Sequence, residues 1–214
     1  MTAVRRAYRR EGEERRREAL ITAAMDITAE SGPAAATVRA IAERAGVTPG
    51  LIRHYFATKD ELTRTAYVAM MARLTAENKA SIDAIPGDAV SRVALCVANW
   101  LHRDVMAPGT LISWAGFVPA IRSDRAMMAA HVMTYQAFHQ QWRDLIAALP
   151  KYASAPDRQI NSLATACNAM IDGLWVEGAL QPETLDPAEL AVIGLDAIGG
   201  ILGLDLRAAL PAES

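Results

Sequence analysis

Few side chains in this sequence are placed to do chemistry, and they fall into two groups. In the first, Gly50, Arg53, His54 and Lys59 lie within one run of ten residues. Arg53 carries a planar fork of donors that matches guanine O6 and N7, Gly50 lets a backbone come close to DNA, and Lys59 can reach a phosphate. In the second, Asp172 and Glu177 interrupt an otherwise apolar stretch beside Trp175. A carboxylate among aromatic faces can hold an organic cation, and Asp172 could equally cap or brace neighbouring helices.

Other chemistries find little support. His54 has no Cys, His or acidic partner at helical ligand spacing, and the separation of eight positions from His131 to His139 amounts to about 12 Å of helix, too far to share an ion. No metal and no cofactor is expected. His102, His131 and His139 read as satisfied polar positions. Cys96 and Cys167 stand singly in apolar surroundings, which fits free buried thiols in a reducing compartment. A nucleophile elbow, a phosphate loop and a histidine-acid metal motif are all missing, so no residue is assigned as catalytic. An all-helical enzyme therefore stands only as an alternative without an identifiable reaction partner for its acids.

Around Arg53 the sequence predicts a pair of short helices joined by a tight turn. Thr37 can cap the first, whose Val38, Ile41, Ala42 and Ala45 form one buried stripe. Gly46 can take positive φ, Val47 plugs the angle, Thr48 caps the next helix and Pro49 takes its first position, where a missing N–H costs nothing. This is helix-turn-helix geometry. At 100° per residue, Leu51, Ile52, Tyr55 and Phe56 turn inward while Pro49, Gly50, Arg53 and His54 turn outward. A longer helix from about Glu13 to Ser31 precedes the pair and stops at Gly32-Pro33. Thr58 and Glu61 form a capping box that opens a fourth helix, running to about Ala84.

Apolar residues recur at three- and four-residue spacing throughout, and no strand is expected. Further helices are placed at Asp88 or Ser91 to Met106, Thr110 to Ile121, Ser123 to Leu149, Asp157 to Leu180 and Asp186 to Leu204. Breaks fall at Pro86-Gly87, Ala107-Pro108-Gly109, Pro150, Pro156 and Gln181-Pro182. The fold class is all-α, with about nine helices in two parts, 1–66 and 67–214. The 214 residues are 52% hydrophobic and 21% charged, enough for one substantial core. With no long apolar run and an N-terminus of arginines and glutamates, the chain reads as cytoplasmic and not membrane-bound.

The net charge of −2 hides an asymmetry. Residues 1–66 hold twelve lysines and arginines against nine acids, and the remainder ten against fifteen. Phosphate contacts need only a local basic face. Arg5, Arg6, Arg9 and Arg10 form a basic arm ahead of the first periodic segment, either a polyanion contact or a solvated tail.

The run TVRAIAERAGVTPGLIRHYFATKDEL, from Thr37 to Leu62, resembles the signature of TetR-family regulators. The resemblance implies groove contacts from Arg39, Pro49, Gly50 and Arg53, and DNA-backbone contacts from Thr37, Thr48, His54, Tyr55 and Lys59, with Ile41, Val47, Ile52 and Phe56 as core. Arg53 stands where the family often has tyrosine, so operator sequence does not transfer.

Residues 67–214 hold all four tryptophans, Trp100, Trp114, Trp142 and Trp175, together with Phe117, Tyr135 and Phe138. These either fill a core or line an effector pocket with Asp172. The run Ile171-Asp-Gly-Leu-Trp175 resembles the choline-responsive BetI branch, which implies a quaternary ammonium effector. The apolar series that includes Ile171, Leu174, Leu195, Ile198 and Leu202 leaves more surface than one partner helix would cover. The family resemblance makes the last two helices a homodimer interface, matching a palindromic operator of double-stranded DNA released on effector binding. An intramolecular core and an architectural DNA-binding protein without effector are the competing readings.

Overall fold

The computed structural model describes residues 3–84, 88–102, 105–106, 108–181 and 184–210, without the side chains of 3–11, 108 and 111–113. The expected breaks at Pro86-Gly87, Ala107 and Pro182 lie outside the described residues. Among those described there are ten α-helices and no strand: α1 Ala3–Ser31, α2 Val38–Arg44, α3 Pro49–Tyr55, α4 Lys59–Ala84, α5 Ala89–Trp100, α6 Pro108–Ser123, α7 Arg125–Ala147, α8 Asp157–Leu180, α9 Pro187–Leu202 and α10 Leu206–Ala209. None is long and apolar enough to cross a membrane.

The chain forms two compact units, one of Met1–Met71 with Ile112–Ala130, the other of Ala72–Leu111 with His131–Ser214. In the first, Leu20, Ala24 and Ile27 of α1 bury against Ile41 and Ala42 of α2, Ile52 of α3, Phe56, and Leu62 and Ala66 of α4. Val47 is half-buried against this core. A bidentate pair, Arg44 with Glu30 at 2.8 and 2.6 Å, ties α2 to α1. That hydrogen-bonded guanidinium holds the Glu30 carboxyl below its ordinary range. The sequence division at residue 66 does not anticipate that 112–130 group with this unit. Phe117 of α6 meets Tyr67 of α4 edge-on at 5.1 Å, and Arg64 lies 4.0 Å from Asp124.

In the second unit α8 packs along α9, and α5 and α10 pack against α9. Its core includes Val93, Val97, Trp100, Trp142, Ile146, Ile171, Ile198 and Leu202. Gly203, at φ 63°, ends α9 in left-handed geometry. The Leu202 carbonyl accepts hydrogen bonds at 2.9 Å from both Lys151 Nζ and Tyr152 Oη.

Several expected boundaries move. α1 starts at Ala3, ten residues before Glu13, because arginine, alanine and glutamate all propagate helices well and Gly12 alone does not stop one. The backbone of Arg5, Arg6, Arg9 and Arg10 is therefore helical, and their side chains lie outside the described residues. α5 ends at Trp100, not near Met106, since the chain turns at Leu101 and buries both Leu101 and Met106. α6 opens two residues early on Pro108, which suits a first helical position. α7 begins at Arg125, where the Asp124 carboxylate accepts from the Ala126 N–H at 2.7 Å. A 3-10 turn at Pro150–Tyr152 and the short α10 are further elements that apolar periodicity did not reveal.

Candidate functional sites

The helix-turn-helix is built by local chemistry. Thr37 begins α2 in extended geometry, and its hydroxyl accepts from the Ala40 N–H at 3.2 Å. Gly46 takes φ 65°, a conformation that costs a side-chain-bearing residue about 1–2 kcal/mol. Thr48 departs from expectation. It precedes α3 with extended backbone angles, yet its side chain makes no capping bond, because the N–H of Leu51 donates to the Thr48 carbonyl at 3.0 Å. Pro49 holds the first position of α3.

This frame exposes Pro49, Gly50, Arg53 and His54 and buries Ile52 and Phe56, with Tyr55 half-buried. His54 and Tyr55 meet edge-on at 5.1 Å. Thr37, Arg39 and Thr48 are exposed on the neighbouring turns, and Lys59 is half-exposed in the first turn of α4. Thr58 accepts from the Glu61 N–H at 3.1 Å, while Glu61 reaches back to the Ala57 N–H at 2.8 Å, so the capping box closes one residue further out than the simple pattern. Arg17, which the sequence pattern did not single out, places its guanidinium 5.1 Å over the Phe56 ring. The only sign of it in the sequence is an arginine just ahead of the apolar half of α1.

The seven residues expected around an effector divide between the two units. Phe117, buried, and Trp114, half-buried, belong to the first. In the second, Trp100 stacks at a tilt on Phe138 at 4.4 Å and lies 6.0 Å from Trp175, whose indole N–H donates to the Trp100 carbonyl at 2.9 Å. Trp142 is fully buried. Trp100 also lines a cleft of about 220 Å³ with Asn78, Ser81, Asn99 and His102.

Tyr135 sits between His131 and His139 on successive turns of α7, at 5.8 and 6.1 Å. Asp172 accepts from Asn168 Nδ2 at 2.8 Å, and no lysine or arginine among the described residues pairs with it. Burial pushes the Asp172 carboxyl up to about 6, partly opposed by that hydrogen bond. Burial and the Asp172 charge together push the Tyr135 hydroxyl upward. The amide oxygen of Asn168, itself fully buried, has no partner among the described residues.

The five residues expected at a dimer interface, Ile171, Leu174, Leu195, Ile198 and Leu202, are all buried within the single chain. The i, i+3, i+4 pattern marks a buried stripe without naming its partner, and here α5, α9 and α10 supply the cover. The exposed apolar side chains of the α8 and α9 pair are instead Val176, Leu180, Val192 and Ile193.

The family profile described as bacterial regulatory proteins of the tetR family matches residues 20–66, the segment carrying this helix-turn-helix. A second profile, the C-terminal part of BetI-type transcriptional repressors, matches residues 89–203. The chain belongs to the BetI-type TetR family of transcriptional regulators. Among similar proteins, the regulator BetI 2 of Chromohalobacter salexigens is 32% identical over 81% of this chain and 82% of its own length. BetI of Burkholderia ambifaria is 30% identical over 89% and 95%. A crystal structure of a transcriptional regulator from Pseudomonas aeruginosa PAO1 superposes with TM-score 0.77 at 28% identity, covering 92% of this chain and 94% of that one. TetR-family regulators bind DNA, typically as dimers and with small-molecule effectors.

Proposed function

We propose that this chain is a repressor that holds a palindromic operator through α3 and releases it when a small organic cation of the choline type binds in its C-terminal region. The observation that carries the reading is the two-sidedness of α3: Ile52 and Phe56 are locked in the core, so Pro49, Gly50, Arg53 and His54 must face outward together. That face fits a major groove, with Arg53 on a base edge, Arg39 beside it, and Thr37, Thr48, Tyr55 and Lys59 toward phosphates.

For the effector, Asp172 supports a cation. It is a half-buried carboxylate with an amide partner and, among the described residues, no cationic one, close to Tyr135 and three residues from Trp175. Aromatic faces and a carboxylate attract quaternary ammonium groups, each good contact being worth about 0.5–2 kcal/mol. The unpartnered Asn168 oxygen is the kind of group that a ligand hydroxyl satisfies. Dimerisation through Val176, Leu180, Val192 and Ile193 would set two α3 helices on half-sites one turn of DNA apart. Effector preference for another spacing by about 1–3 kcal/mol weakens operator binding 5- to 150-fold.

The test is selection of genomic fragments with the purified protein, then titration of the enriched duplex with choline, betaine aldehyde and glycine betaine. A palindrome whose affinity falls with one of them supports both halves. A palindrome indifferent to all three removes the choline assignment, and no enrichment from folded protein removes the operator reading.

A further inference from the structure

Residues 1–19 precede the segment matched by the DNA-binding profile, which begins at residue 20. They hold seven arginines against four glutamates, and the four arginines of residues 1–10 have no acid among them. The whole chain, by contrast, carries −2. Core packing does not explain the described part of this stretch: residues 14–19 are exposed, and Leu20 is the first buried side chain among those described in α1.

The helix dipole does not explain it either. α1 begins at Ala3 and its first turn contains no acidic residue, whereas helix dipoles favour anions at that end. Arg5 and Arg6 stand there instead, an arrangement that a bound polyanion relieves.

The place from which this segment starts identifies the polyanion. Arg17 lies over the ring of Phe56, and Phe56 closes α3 directly after Arg53, His54 and Tyr55. The basic segment is thus rooted beside the end of the reading helix. From Arg17 back to Arg5 a helix covers about 18 Å, the length of about five base pairs.

We propose that the N-terminal stretch of α1, Arg5 to Arg17, grips the phosphate backbone of the duplex flanking the operator, adding affinity without adding sequence preference. This rests on the operator-binding reading above and extends the footprint beyond the half-sites that α3 reads.

The experiment compares the full chain with a variant carrying Arg5→Gln, Arg6→Gln, Arg9→Gln and Arg10→Gln, which keeps length and helix propensity. Affinity is measured against salt on two duplexes, one with ten flanking base pairs on each side of the selected operator and one trimmed to its half-sites. Each phosphate contact contributes about 0.9 to the slope of log K on log salt. The variant should show a slope shallower by about 2 or more on the flanked duplex, nearly the wild-type slope on the trimmed one, and an unchanged order of preference among operator variants. Equal slopes on the flanked duplex overturn the proposal. So does an equal loss on both duplexes, which with an altered melting curve would assign the arginines to folding. Failure of the wild type to bind any duplex would instead overturn the operator reading itself.

Discussion

Gly116 of α6 lies directly against Pro33, two residues past the end of α1: a Cβ added at position 116 would stand 2.7 Å from Pro33 Cγ and closer still to Cδ. A proline ring cannot rotate away as a flexible side chain would. Gly116→Ala should therefore destabilise the protein by about 1–3 kcal/mol, the usual cost of overpacking. Urea unfolding of the variant checks this, and adding Pro33→Ala should recover part of the loss.

Replacing Arg53 and replacing Lys59 should do different things to DNA binding. Arg53→Ala is expected to cost about 1–3 kcal/mol on the selected operator and to relax preference at one base pair of each half-site. Lys59→Ala should weaken operator and unrelated duplexes alike and lower the salt slope by about 0.9 for each phosphate it no longer neutralises. Titrations on a panel of single-base operator variants separate the two. A Lys59→Ala protein that changes base preference would contradict the assignment.

Asp172 makes stability depend on pH in a direction opposite to that of most carboxylates. Its folded value of about 6 lies above its ordinary one of 3.8, so between these limits the folded state holds the proton more tightly. Its favourable contribution is complete below the ordinary value and is lost as pH rises through about 6. Asp172→Asn should then stabilise the protein by about 2–3 kcal/mol at pH 7.5, with the gain fading as pH falls from about 6 toward 3.8. Paired melting curves of wild type and variant across this range are the check. A bound cation would favour the ionised form, so effector affinity should drop as the buffer is taken below pH 6.

Ile193 and Ile198 share α9 but not an environment. Ile193 is 40% exposed, whereas Ile198 is fully buried. On the dimer proposed above, Ile193→Glu should leave the fold intact and shift the protein from dimer to monomer in sedimentation, whereas Ile198→Glu should prevent folding. A folded, fully dimeric Ile193→Glu protein would remove this face from the interface.

Which features the sequence revealed follows from the range of the forces involved. Gly46, Thr37 and the Thr58 with Glu61 pair act within four residues, so their types and spacing already state the geometry. The inward and outward faces of α3 follow from helical periodicity alone. Periodicity says that Ile171, Leu195 and Ile198 are covered, but not by what, and the covering helices belong to the same chain. The grouping of α6 residues with the N-terminal unit is likewise invisible in sequence, since it depends on Gly116 meeting a residue 83 positions earlier. Thr48 departs from its expected role for a local reason: its backbone carbonyl takes the Leu51 N–H instead.

Cys96 and Cys167 are the only thiols in the chain, and both are fully shielded in the second unit. Burial pushes the Cys167 thiol up to about 12 and Cys96 upward as well, so almost no thiolate exists to react at neutral pH. Alkylation must then wait for the helices to part. The rate at which these two sulfurs take up a thiol reagent becomes a clock for the opening of α5 from α8, and an effector that binds the closed bundle should slow that clock in proportion to its occupancy.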